Sequence, residues 1–203
     1  VIEKKSVNNI MIALYAFVVI SFFITIVDII IRFPLQSEMI DYNDIQAIVI
    51  NVLALLIQIV FFAYGFVNAI RGMLSPKRMG AVIVAFFAAT CITGTGNMVI
   101  YSNVQIVLWW IVLIIPNIVG AVATFAYFVL GKKSKIYSII IYLVAIWGMF
   151  RIIYSNYNLI VHANQYLSMN STVRLVLGIA IHCLVIYQTY VLWIKRQNAI
   201  DIS

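Results

Sequence analysis

Residues 81–101 read AVIVAFFAATCITGTGNMVIY. The stretch opens on an unbroken apolar run, 81–89. Thr90, Cys91, Thr93, Gly94, Thr95, Gly96 and Asn97 then crowd together before the run resumes at Ile100 and Tyr101. Its length decides the fold. About 20 mostly apolar residues, rising 1.5 Å each, cross a hydrocarbon layer about 30 Å thick. The polar insert has two readings. Small residues let a neighbouring helix approach closely. They also permit local unwinding where the backbone faces a cavity rather than lipid.

Five more stretches qualify, at 10–33, 45–70, 104–130, 136–160 and 172–194. The chain is 65% hydrophobic and 9% charged, whereas a soluble domain carries about 25% charge. So little charge cannot cover a water-facing surface. The apolar runs are too long for barrel strands and do not alternate. The expectation is an all-α integral membrane protein, a bundle of six transmembrane helices in one domain, 1–203. The start, VIEKK, resembles the basic start of a signal peptide. The apolar run behind it is too long and lacks a small-x-small cleavage site, so it reads as a retained first span.

The basic residues set the orientation. Lys4 and Lys5 precede the first span. Arg71, Lys77 and Arg78 follow the second, Lys132, Lys133 and Lys135 the fourth, and Lys195 and Arg196 the sixth. Every second connection is basic, which places both termini in the cytoplasm by the positive-inside rule. A cell or plasma membrane fits this pattern. The net charge of +7 is therefore topogenic; it lies beside lipid headgroups and implies no nucleic acid. Each hairpin closes after a tyrosine-bearing stretch, "FFAYGFVNAIRG", "TFAYFVLGKK" and "QTYVLWIKR". Either a threefold hairpin repeat or the shared preference of aromatic and basic residues for the inner interface accounts for this.

Three basic residues remain: Arg32, Arg151 and Arg174. Asp28, Glu38, Asp41 and Asp44 all belong to the outer end of the first hairpin. Asp28 and Arg32 stand one helical turn apart and can pair. Arg174 reads as a rim anchor. Arg151 sits about 22 Å above the inner start of its span, still within the hydrocarbon. An arginine there should face the bundle and find a partner. Asp28, the one carboxylate within a span, lies at a similar height, so the two are expected to approach each other. Such a pair either fixes helix packing or contacts an anionic solute.

The same ruler sets Gln58, Thr93, Asn117 and His182 at roughly 18–20 Å from the inner ends, on four different spans. They read as a polar layer. Pro116 lies at that depth in the fourth span, where it removes a helical hydrogen bond. Paired helix interruptions point to a transporter site. The long outer connection carries Tyr157 and Tyr166, with Tyr154 on its approach, and Asn170-Ser171-Thr172 forms a glycosylation sequon.

No catalytic arrangement is legible. His162 and His182 are the chain's histidines, with no HExxH, GxSxG or phosphate-binding loop. Cys91 and Cys183 form no metal spacing and read as buried thiols. Neither enzyme chemistry, a cofactor nor a metal is expected.

In size, helix number and cytoplasmic termini the outline is similar to the substrate-binding membrane subunits of energy-coupling-factor vitamin transporters. That resemblance implies small residues on the first helix for docking a coupling subunit. The matching region here reads "MIALYAFVV", with Ala13 and Ala16 spaced AxxA rather than AxxxA. The likeness is one of architecture, without a shared motif.

The functional expectation is a protein that binds or transports a small polar or anionic solute through an outer-half pocket, alone or as a subunit of a larger transporter. Asp28, Gln58, Thr93, Asn97, Asn117, Arg151 and His182 would line it. Its partners would be membrane lipids, the solute and partner membrane subunits. The alternative is a non-transporting interaction protein: a sensor, an immunity protein or an assembly subunit.

Overall fold

The computed structural model describes residues 4–36, 42–100, 104–155 and 169–200. Side chains are described throughout these except at 4–8, 28–36, 42–44, 97, 104–107, 109–110, 155, 169–171, 173–174 and 198–200. All described secondary structure is helical. The helices are α1 (Lys4–Gln36), α2 (Tyr42–Ile70), α3 (Pro76–Ile100), α4 (Val104–Thr124), α5 (Lys135–Ser155) and α6 (Met169–Ile200). A π-helical segment, Phe125–Val129, continues α4. A segment that crosses lipid has to satisfy its own backbone hydrogen bonds, and a helix does so within one segment. Each of the six contains a stretch long and apolar enough to cross a membrane.

The basic hairpin turns carry the stop and start signals. At the end of α2, Met73 N–H donates to the Asn68 carbonyl at 2.9 Å and Gly72 N–H to Ala69 at 3.0 Å. This is the paired bonding of a Schellman motif, and Gly72 takes the left-handed φ of 65° that it needs. Ser75 then caps α3, its Oγ accepting from Arg78 N–H at 3.3 Å. Pro76 stands at the first helical position, where no donor is lost. In the next basic turn Gly131 is left-handed at φ 70°, and Ser134 Oγ accepts from Ile136 N–H at 3.4 Å.

Each helix packs on the next in chain order, and α6 returns to α1, closing a ring. Across the middle α3 touches α6, and these are the two most buried spans. The ring is thus pinched into two four-helix groups that share α3 and α6. The least buried span is α2. An aromatic chain crosses the core. Phe22 of α1 meets Phe62 of α2 at 5.6 Å, and Phe62 meets Phe86 of α3 at 6.5 Å. Phe86 then meets the His182 ring of α6 edge-on at 5.2 Å.

Helix α3 runs unbroken through Gly94 to Asn97. Of the two readings of the opening stretch, close packing is the one observed. A Cβ on Gly96 would stand 2.7 Å from Ile50 Cδ1 of α2, so the glycine makes room for that isoleucine.

Candidate functional site

The interface of α5 and α6 is built by two reciprocal fits. His182 is 4% exposed, and a Cβ on Gly148 would lie 2.1 Å from its Nε2. One turn toward the far end the roles reverse, and a Cβ on Gly178 would lie 2.7 Å from Ile152 Cδ1. The His182 Nδ1 stands 2.7 Å from the Gly178 carbonyl oxygen. That bond needs the proton on Nδ1, which leaves Nε2 as an acceptor turned toward Gly148. Arg151 comes one turn after Gly148 on α5, on the same helix face, and is half-buried.

Pro116, inside α4, organises the other side. Its missing N–H releases the carbonyl of Val112. The Trp147 indole of α5 donates to that oxygen at 3.4 Å. Asn117 Nδ2 donates to Leu113 at 2.6 Å, and Cys91 Sγ of α3 reaches the Ile114 carbonyl at 3.8 Å. Three successive carbonyls around the proline thus receive side-chain donors, two of them from neighbouring helices.

Of the four residues of the expected polar layer, two are buried and two half-buried. Asn117 and His182 are both buried, but each hydrogen-bonds the carbonyl four residues earlier on its own helix. Thr25 and Thr90 do the same. Gln58 and Thr93 are half-buried. Gln58 stands between Ala54 and Phe62 on the core-facing stripe of α2. Asp28 and Asn97 lie in α1 and α3, with their side chains outside the described residues. The side chains of all six acidic residues are outside them too, and the expected approach of Asp28 to Arg151 falls there with them. The pairing of Asp28 with Arg32 and the rim position of Arg174 are side-chain calls outside the described residues as well. Tyr157, Tyr166 and His162 lie outside the described chain.

Other polar groups are buried more deeply and escaped the sequence reading. Gln188 of α6 is 0% exposed; its Nε2 donates to the Tyr15 hydroxyl of α1. Gln188 Oε1 and Thr124 Oγ1 are buried with no partner among the described residues. The signal for Gln188 was its place inside an apolar span, in "QTYVLWIKR". The aromatic residues there suggested an interface belt instead. That belt is only partly real: Tyr64 and Tyr190 face outward, whereas Tyr127 is 2% exposed. Arg196 covers Tyr127, with its guanidinium carbon 4.2 Å from the ring centroid. The two cysteines are free thiols, half-buried rather than fully buried. No group of three or more His, Cys, Asp or Glu among the described residues is placed to hold a metal ion.

The architecture defines a class: a multi-pass helical bundle with six helices fit to cross a membrane. No protein-family model, no curated protein and no solved structure matches the chain.

Proposed function

We propose that this is a non-enzymatic protein of the cell membrane, with cytoplasmic termini, that binds or transports a small polar or anionic solute. It acts alone or as a subunit of a larger transporter. The site lies in the half of the bundle away from the basic end. Arg151 holds the solute's negative or polar group, Asp28 balances that charge, and Gln58, Thr93, Asn97, Asn117 and His182 shape the walls.

The supporting observation is an asymmetry of packing. Among the largest fully buried side chains, Tyr15, Phe62, Phe87 and Phe128 fall within about 17 Å of the basic ends of their helices. That half is a closed plug. Arg151, at about 22 Å, comes beyond them and is half-buried. An arginine within a span is costly to leave without a counter-group, and a bound anion supplies one.

A thermal-shift series tests this, with small carboxylates, phosphates and amino acids added to the purified protein. A ligand at 100 times its Kd adds about 2.7 kcal/mol to the folded state. One anion class should raise Tm in the native chain and fail to do so in Arg151→Gln. No shift with any class, or a shift undiminished in Arg151→Gln, refutes the site.

The second reading is a non-transporting interaction protein. The self-bonding of Asn117 and His182 favours it, since those groups then serve helix packing. It requires that no solute moves Tm and that a membrane partner co-purifies after mild extraction.

A further inference from the structure

The basic end carries a local construction beyond what orientation requires. The Arg196 guanidinium donates through Nη2 to the Tyr127 carbonyl at 2.7 Å and through Nη1 to the Lys132 carbonyl at 2.9 Å. This fork ties the end of α6 to the turn between α4 and α5. The fork's acceptors are neutral, so the arginine's charge is not cancelled. The tie also pins Arg196 beside the exposed Lys132 and Lys133, with exposed Lys195 adjacent in sequence. Like charges held together repel, and the described residues offer no carboxylate to offset them. The acids nearest this end in sequence are Glu3 and Asp201, near the two ends of the chain given. Exposed apolar side chains flank the cluster: Leu130, Ile136 and Trp193.

We propose that this cluster is a site for the headgroup of an anionic phospholipid. Lys132, Lys133 and Lys195 meet the phosphate while Leu130, Ile136 and Trp193 border the acyl chains. Basic pockets between membrane helices on the cytoplasmic side bind such headgroups. The apolar flank favours a lipid over a soluble phosphate, because it offers contacts only to something that carries chains. Arg196 acts as the positioning residue that holds the turn in place.

The test uses the full chain, reconstituted in phosphatidylcholine nanodiscs with and without phosphatidylglycerol, and native mass spectrometry to count the lipids retained. Phosphatidylglycerol should be retained in preference to phosphatidylcholine. Lys132→Gln and Lys133→Gln should each lower that retention about fivefold, the worth of one basic residue at an anionic surface. Lys132 offers Arg196 its backbone carbonyl, so Lys132→Gln leaves the tie intact, and an unchanged melt verifies that the variant is folded. Arg71→Gln, in the other basic turn, should have a smaller effect. Equal retention of the two lipids overturns the proposal. So does a loss in Arg71→Gln as large as in Lys132→Gln. Displacement of phosphatidylglycerol by equimolar inorganic phosphate would mark a soluble-anion site and overturn it as well.

Discussion

The indole nitrogen of Trp147 donates to the carbonyl of Val112, the oxygen that Pro116 leaves without its helical donor. The hydrogen bond that Pro116 removes from α4 is therefore replaced from α5. A hydrogen bond between membrane helices is worth about 0.6 kcal/mol on average. Trp147→Phe should lose about that much, measured by unfolding in mixed detergent. In a Pro116→Ala background the new Ala N–H takes the Val112 oxygen, and Trp147→Phe should then cost less. Strictly additive losses would mean that the indole does not make up for the bond that Pro116 removes.

Gly148 and Gly178 predict unequal effects for one identical substitution. In Gly148→Ala the new methyl meets His182 Nε2 at 2.1 Å, a ring held on its other side by Gly178 and Phe86. In Gly178→Ala it meets Ile152 Cδ1 at 2.7 Å, the free end of a side chain that can turn away. Overpacking costs about 1–3 kcal/mol, occasionally more. Gly148→Ala should lie at or beyond the top of that range and Gly178→Ala near the bottom. Adding His182→Ala should recover part of the Gly148→Ala loss. Equal melting temperatures for the two glycine variants would contradict the arrangement.

The existence and number of the spans were legible because an apolar run of membrane length has few other fates. Helix ends were less so. Helix α3 starts at Pro76 and takes in Lys77 and Arg78, since Ser75 caps it ahead of the apolar run. The π-helical turn at Phe125–Val129 had no signal in composition or spacing, and Arg196, which donates to the Tyr127 carbonyl within it, comes from another helix. The polar layer was read from depth alone. Depth follows from counting residues, but the direction of a hydrogen bond does not. Asn117 and His182 sit among buried residues, yet each spends its donor on its own helix. Tyr15 passed as one more aromatic residue, since its meaning comes from Gln188, which lies far away in the chain and adjacent only after the ring closes.

Orientation has a direct check. With Cys91 and Cys183 replaced by Ala, a single cysteine at Lys133 should react with a membrane-impermeant maleimide only after cells are opened. A cysteine at Ser37, on the α1–α2 connection, should react in intact cells. The reverse pattern would invert the topology and move the proposed solute site to the cytoplasmic half.

The Tyr15–Gln188 bond gives the sharpest test of the closed half. Both residues are 0% exposed, so a lost partner cannot be replaced by bulk water. Tyr15→Phe removes the acceptor of Gln188 Nε2 and leaves the whole amide unsatisfied, because Oε1 already has no partner among the described residues. A buried group left in that state costs about 1–3 kcal/mol. Gln188→Met removes the amide at similar volume and strands only the Tyr15 hydroxyl. In Tyr15→Phe/Gln188→Met neither polar group remains. The order of stability should therefore be Tyr15→Phe lowest, Gln188→Met intermediate and the double variant nearest the native chain, read as melting temperatures in one detergent. A double variant less stable than Tyr15→Phe would show that the glutamine amide is satisfied by another route, and that the plug is not the dry, packed layer its burial implies.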